Sequence, residues 1–160
     1  MKAHHLIVDG YNLLHHDPGL QDLAGDQLMV EREKLIVRLS AVVGLVAERI
    51  TVVFDGRDLP GDGPEREPSA VEVIFSPASQ TADTVIERLA HRSAHPPGLL
   101  VVTSDRAERD TVSAAGGHTM NGTDFLELLD RTEAGLKRQA AATQRRVPVP
   151  RLGDFFPKSE

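Results

Sequence analysis

The chain has 160 residues, a length that suits one domain with a proper hydrophobic core, and 40% of its residues are hydrophobic. It contains no cysteine, which excludes a disulfide framework, a thiolate metal site and a cysteine nucleophile. Its net charge of -6 argues against a protein that coats naked nucleic acid through bulk electrostatics. No apolar stretch approaches the roughly 20 residues that cross a bilayer and no signal-peptide pattern is present, so we expect a cytoplasmic protein without a membrane partner.

The first predicted strand, residues 5–9, ends in a pattern that two later strands repeat. Its last apolar residues run straight into Asp9, and Gly10 and Asn12 follow. A continuous apolar run that stops at a turn signal indicates a buried strand, with Gly10 as a tight turn into a polar loop over residues 10–25. Ligands of open parallel sheets bind at the carboxyl ends of the strands, so we expect Asp9 at the mouth of a crevice.

An amphipathic helix and two further strands follow. Apolar residues recur at three- and four-residue spacing over residues 26–48, which predicts a helix. A second buried strand, residues 50–55, again ends in an acid, Asp55. Residues 56–69 are interrupted by glycine and proline and predict a loop. The weaker alternation over residues 71–75 predicts an edge strand.

The second half of the chain continues to alternate helices and strands. A helix is predicted over residues 81–94, with Asp83 in its first turn. A third buried strand, residues 99–103, runs towards Asp105, and Ser104 is a natural cap for the next helix. The remaining predicted elements are a helix from about residue 106 to 117, a short strand at 118–120 and a final helix from about residue 124.

This alternation predicts an α/β fold with a mostly parallel central sheet and helices on both faces. We place the domain at residues 1–140. Residues 141–160 are basic and contain prolines, and we interpret them as a C-terminal extension.

The carboxylates at the strand ends favour a metal site that acts on phosphodiesters. Converging carboxylates repel one another unless a cation lies between them, and hard cations such as Mg²⁺ bind carboxylate oxygens. Such a cation can orient a phosphodiester and lower the pKa of a bound water. The candidate residues are Asp9, Asn12, Asp55, Asp83 and Asp105.

Every candidate also has a purely structural alternative. Asp83 could be a first-turn helix charge, Asp105 an acid of a capping region, Asp55 part of a common turn, and Asn12 the cap of its own turn. The remaining group, the histidines outside the first strand, is interpreted as solvated side chains: His15, His16, His91, His95 and His118.

Other phosphate-handling motifs fit less well. The sequence has neither a GxxxxGK[ST] loop nor a GxGxxG turn. A phosphoaspartate hydrolase of the haloacid-dehalogenase kind would need an aspartate two residues after Asp9, where Tyr11 stands. No elbow motif indicates a Ser-His-Asp nucleophile.

Four segments in order resemble a known family. VDGYN at residues 8–12 resembles the signature of NYN domains, a branch of the PIN-like nucleases. The bacterial YacP-like subgroup is resembled by three more segments: VVFD at 52–55, VEVIF at 71–75 with QTAD at 80–83, and VTSD at 102–105. The resemblance covers roughly residues 5 to 140. It implies a PIN-like three-layer α/β/α sandwich and an endoribonuclease that depends on Mg²⁺ or Mn²⁺.

The resemblance also implies roles for individual residues. Asp9, Asp83 and Asp105 are expected to be catalytic and, with Asp55, to bind the metal. Asn12 is expected to support the site, and Arg32 to contact the substrate phosphate or an acid. Because members of the subgroup have been linked to cleavage of messenger RNA on the ribosome, RNA and the ribosome are the expected partners.

Two other functions stay open on the sequence alone. One is a non-catalytic adaptor that binds RNA or the ribosome with the same fold. The other is a phosphatase of small nucleotides, which would use the same metal chemistry. One departure argues against RNA docking beside the second strand: the loop over residues 56–68 is acidic, where a substrate-facing loop is expected to be basic. Its acids are Asp58, Asp62, Glu65 and Glu67.

Overall fold

A computed structural model describes residues 2–20, 22–23, 25–56 and 69–146 of the chain. Within these residues, five strands form one sheet in which every neighbouring pair is parallel. The strands are β1 (Ala3–Asp9), β2 (Ala47–Phe54), β3 (Glu72–Phe75), β4 (Leu99–Val102) and β5 (His118–Met120). Their order across the sheet is β3-β2-β1-β4-β5. The prediction of a parallel sheet with an edge strand near residues 71–75 is confirmed.

Helices cover both faces of the sheet. They are α1 (Gly10–His16), α2 (Asp26–Ala41), α3 (Ala82–His91), α4 (Arg106–Ala114) and α5 (Gly122–Arg146), with a short 3-10 helix at Pro96–Gly98. Apolar residues of α1, α2 and α5 pack against one face, with Leu39 and Phe125 fully buried there. Residues of α3 and α4 pack on the other face, around Ile86 and Val112. The predicted three-layer α/β/α sandwich is therefore confirmed.

The register of the sheet brings three strand ends to one level. Asp9 lies opposite Val53, and Val8 lies opposite Val102. Strands β1, β2 and β4 consequently finish side by side, and the residues that follow them share one edge of the sheet. These three strands are the central strands of the sheet. The chain places β2 and β3 on one side of β1 and β4 and β5 on the other, and ligands of such sheets bind outside the strand ends at this change of side.

The segment after β1 is a helix, where the sequence predicted a loop. Helix α1 begins directly after Asp9 and buries Leu13 and Leu14 against the sheet. Gly10 is its first residue rather than the centre of a tight turn. A Cβ at that position would overlap the ring of Phe54, so the glycine is required by close packing.

Helix α2 ends at Ala41, seven residues before the predicted end at residue 48. Gly44 adopts a φ of +86°, which lies in the left-handed region and stops the helix. Its N–H donates to the carbonyl of Ala47 at 2.7 Å, and β2 starts there instead of at residue 50. Val42 and Val46 are buried in the connecting turn. Because their spacing continues the apolar pattern of α2, the sequence predicted a longer helix.

The C-terminal helix passes the predicted domain boundary. Helix α5 continues through residue 140 to Arg146, and its residues from Lys137 to Arg145 are exposed. The division into a domain and an extension therefore stays a prediction, and residues 147–160 lie outside the described part of the chain. The acidic loop over residues 57–68 lies outside it as well. Among the helices that the structure describes, none is long and apolar enough to cross a membrane.

Candidate active site

Three carboxylates from separate elements meet at the carboxyl edge of the sheet. Asp9 is the last residue of β1, Asp83 the second residue of α3, and Glu108 the third residue of α4. Each offers one carboxylate oxygen, and these oxygens lie within 4.8 Å of one another. We refer to Asp9, Asp83 and Glu108 as the carboxylate trio.

Burial and the neighbouring carboxylates raise the pKa of two members of the trio, Asp9 and Glu108, when no cation is present. Asp9 is 8% exposed and Glu108 only 1%. Burial raises the pKa of Asp9 to about 7, and the neighbouring Asp83 charge adds to the effect. Burial also raises the pKa of Glu108 to about 9, followed by the effects of the adjacent Asp83 and Asp9 carboxyls. A cation bound between the carboxylates would stabilise their charged forms and lower these two pKa values.

One of the two carboxylate oxygens of Glu108 lacks a hydrogen-bond partner in the part of the chain that the structure describes. Oε2 accepts a hydrogen bond from Thr103 Oγ1 at 3.1 Å. Oε1 is buried and has no hydrogen-bond partner among the residues that the structure describes. A buried acceptor without a partner costs free energy, and a hard divalent cation that prefers oxygen ligands would satisfy it. The donor set therefore fits Mg²⁺ or Mn²⁺.

Asp105, predicted as a metal ligand, stands at the cap of α4. Its Oδ1 accepts a hydrogen bond from the Glu108 N–H at 2.9 Å, so Asp105 and not Ser104 is the N-cap residue. The structure does not bring it into the carboxylate trio. The cap fixes the first turn of α4 and thereby directs Glu108 toward the sheet. The metal role assigned to Asp105 stays a prediction.

Asp55 and Asn12 lie at the same edge of the sheet. Asp55 follows β2 directly, and its charge contributes to the raised pKa of Asp9. The backbone of Asn12 favours the charged form of Asp9 and so lowers its pKa, although the Asp9 side chain accepts no capping hydrogen bond from α1. The Asn12 side-chain Oδ1 accepts a hydrogen bond from Ser104 N–H at 3.2 Å, which ties the start of α1 to the loop after β4. Asn12 therefore positions the site.

Arg32 is a core residue. It is 2% exposed, and its guanidinium carbon lies 5.1 Å from the centre of the Phe75 ring. Nη1 donates to the hydroxyl of Tyr11 at 3.4 Å, whereas Nε is buried with no hydrogen-bond partner in the described part of the chain. Such a stacked arginine supports the aromatic residues beneath the site. Its predicted contact with substrate stays untested.

This arrangement of strands and acids agrees with a comparison of whole sequences. Residues 6–154 match the sequence model of the YacP-like NYN domain. The chain belongs to this family. NYN domains have a nuclease-type fold, and NYN and PIN-like nucleases typically use divalent metals, which agrees with the carboxylate trio.

Proteins similar to this YacP-like NYN domain include YacP of Bacillus subtilis, which has also been crystallised. The uncharacterised protein YacP of strain 168 is 28% identical over 148 residues, which cover 92% of this chain and 87% of YacP. A crystal structure of Rae1 (YacP) matches with a TM-score of 0.75 and 28% identity, covering 88% of this chain and 81% of Rae1. A crystal structure of a single-residue mutant of Rae1 matches with a TM-score of 0.73 and 27% identity, covering 90% of this chain and 86% of the mutant chain.

Sequence reasoning on this YacP-like NYN domain missed Glu108. The residue lies one helical turn before Val112, and both are buried on the same face of α4. An acid that shares a helix face with the apolar side chains is a detectable signal, because burial of an unpaired carboxylate is unfavourable without a function. Glu108 lies outside the four family-like segments and does not directly follow a strand, so the strand-end pattern does not include it.

Proposed function

We propose that the protein is a metal-dependent endoribonuclease that hydrolyses phosphodiester bonds of RNA. The carboxylate trio carries this proposal: Asp9, Asp83 and Glu108 present oxygens within 4.8 Å at the edge where ligands of parallel sheets bind. Membership of a family with a nuclease-type fold makes RNA the substrate class that this site best suits.

The trio would hold Mg²⁺ or Mn²⁺. When bound, the cation would supply Lewis-acid stabilisation of the charge on the phosphate oxygens. The backbone of Asn12 favours the charged form of Asp9, and Thr103 Oγ1 donates a hydrogen bond to one oxygen of Glu108. These contacts fix the ligands before the substrate arrives, so less reorganisation is needed during the reaction. Asp55 and Asp105 are proposed to add negative charge at the rim.

Messenger RNA on the ribosome, in the cytoplasm, is the proposed setting. It is supported by the resemblance to the YacP-like subgroup and by the exposed basic residues near the end of α5, among them Lys137, Arg138 and Arg145. An acidic protein could bind there through local contacts. Failure of the protein to co-sediment with ribosomes at low salt would remove this part of the proposal.

The decisive experiment is cleavage of single-stranded RNA with Mn²⁺, in which the wild type is compared with Asp9→Asn and Asp83→Asn. We expect both variants to lose cleavage because each removes one ligand charge. Asp110→Asn, an exposed acid of α4, is the matched control and should cleave like the wild type. Cleavage that persists in Asp9→Asn, or that needs no metal, would contradict the proposal.

The same assay separates the alternatives. A non-catalytic adaptor would bind RNA without cleaving it at any metal concentration. A phosphatase of small nucleotides would release inorganic phosphate from mononucleotides and leave internal RNA bonds intact. The endoribonuclease predicts internal fragments and no phosphate release from mononucleotides.

A further inference from the structure

A second group of polar side chains, which includes three histidines, lies at the opposite edge of the sheet. The amino ends of β1, β2 and β4 border a groove of about 520 Å³, and His118 of β5 also lines it. The other polar side chains in the groove are Lys2, His4, Glu48 and His95. The proposed nuclease site uses none of them, since it lies beyond the carboxyl ends of the same strands.

His4 is oriented by a carboxylate. Its Nδ1 lies 2.7 Å from Oε2 of Glu48, which is close enough for a strong hydrogen bond across β1 and β2. When one imidazole nitrogen donates to a carboxylate, the tautomer is fixed and the other nitrogen becomes a better metal ligand. The contact with Glu48 therefore leaves Nε2 of His4 as the nitrogen that can bind a metal.

The ring of His95 lies beside the ring of His4. The centres of the His4 and His95 rings are 5.9 Å apart, and the ring planes cross at 84°. Two imidazoles bound to one zinc through bonds of about 2.0–2.1 Å have ring centres roughly 5–6 Å apart. The ring of His95 rests on Gly98, where a Cβ would overlap both that ring and the Cβ of His4. The glycine thus lets the two histidines approach.

We infer that His4 and His95 form a binding site for a transition-metal cation such as Zn²⁺, with Glu48 as the residue that positions His4. Imidazole nitrogen favours Zn²⁺, Ni²⁺ and Cu²⁺, whereas carboxylate clusters favour Mg²⁺ and Mn²⁺. The two edges of one sheet would therefore bind different metals. The cation would link the start of β1 to the segment that precedes β4, and so stabilise the folded chain.

The test is a calorimetric titration with Zn²⁺ in the Asp9→Asn/Asp83→Asn background, which removes the carboxylate site. We expect one zinc to bind there. Adding His4→Gln or His95→Gln should weaken its binding at least about tenfold, and Glu48→Gln about tenfold. Adding His91→Gln, an exposed histidine of α3 outside the groove, should leave the affinity unchanged.

A second titration keeps this result apart from the nuclease proposal. With the trio intact, His4→Gln and His95→Gln should bind Mn²⁺ like the wild type, which also shows that they are folded. Zinc binding that is unchanged by both histidine variants, or equally weakened by His91→Gln, would overturn the inference. Loss of RNA cleavage plays no part in either outcome.

Discussion

Asp105 combines two possible roles in one side chain, a helix cap and a metal ligand. Asp105→Ala removes the acceptor of the Glu108 N–H and should destabilise the protein by about 1 kcal/mol. Asp105→Asn keeps an oxygen acceptor and should retain the wild-type free energy of unfolding. Because Asp105 stands outside the carboxylate trio, we expect Asp105→Asn to bind Mn²⁺ nearly as well as the wild type. Urea unfolding and calorimetry measure the two quantities, and a large loss of affinity in Asp105→Asn would make it a direct ligand.

Glu108 should matter for metal binding and little for folding. Glu108→Gln has nearly the same shape and can still accept from Thr103 Oγ1, so the metal-free protein should be at least as stable as the wild type at pH 8. Its Mn²⁺ affinity should fall at least about tenfold because a ligand charge is lost. Glu127→Gln, an exposed acid of α5, is the control for the change of charge. Unaltered affinity in Glu108→Gln would exclude Glu108 from the site.

The sequence predicted two of the three trio residues. Asp9 follows an apolar strand and Asp83 lies in a helix first turn, and both positions are visible in the linear pattern. Glu108 depends on which face of α4 packs against the sheet, and a nine-residue helix with few apolar side chains leaves that face poorly defined. The burial of Arg32 was equally hidden, because its aromatic neighbours Phe54 and Phe75 come from two other strands.

At the level of helices, two glycines should respond to alanine in opposite directions. Gly10→Ala places a Cβ into the ring of Phe54, so repacking should cost about 1–3 kcal/mol. Gly135 lies within α5, and the nearest atom to a Cβ there is Arg138 Nη2 at 3.9 Å. Gly135→Ala should stabilise the protein by about 0.5–1 kcal/mol through helix propensity. Urea unfolding measures both, and equal stability of the two variants would contradict the packing argument.

Element types followed from local pattern, whereas element ends depended on tertiary contacts. The stripe over residues 26–48 predicted α2, but Gly44 ends the helix early and the last apolar residues of the stripe are buried in a turn. Helix α1 was missed because a seven-residue segment with glycine, asparagine and two histidines has weak helical signals. Burial of Leu13 and Leu14 against the sheet supplies the stability that propensity lacks.

At the scale of the whole molecule, the topology places the site. Strand β1 lies between β2 and β4. The connection from β1 to β2 runs through α1 and α2 on one face of the sheet, and the connection from β3 to β4 runs through α3 on the other face. Asp9 therefore meets residues from α3 and α4 just beyond the carboxyl ends of the central strands. Asp9 and Glu108 are 99 positions apart in the sequence and meet because the parallel register ends β1 and β4 at one level, and α4 begins four residues after β4.

The same arrangement makes the stability of the whole chain depend on pH in a predictable direction. In the folded, metal-free protein the pKa of Asp9 is about 7 and that of Glu108 about 9, against ordinary values of 3.8 and 4.5. Between these values the folded chain holds protons that the unfolded chain has released. The free energy of unfolding therefore falls as the pH rises, until it passes each folded-state pKa. His5 acts oppositely, but only below about pH 6.5, since burial and the Arg49 charge lower its pKa to about 4.

Divalent metal should cancel this dependence between pH 7 and 8.5, because the metal-bound folded chain has released the same protons as the unfolded chain. Metal binding displaces the protons of Asp9 and Glu108, so Mn²⁺ affinity should rise with pH, and the bound metal adds stability because it binds the folded state. Urea unfolding at pH 7, 7.75 and 8.5 with a chelator present should show a free energy of unfolding that falls as the pH rises. With excess Mn²⁺, the free energy of unfolding should exceed the value in chelator by an amount that grows with pH. Glu108→Gln should flatten the decline in chelator, because folded Glu108 keeps its proton over most of this range, whereas Asp9 loses its proton near pH 7. A decline that is equally steep in Glu108→Gln would mean that another group carries the proton, and the pairing of Glu108 with Asp9 and Asp83 would then be wrong.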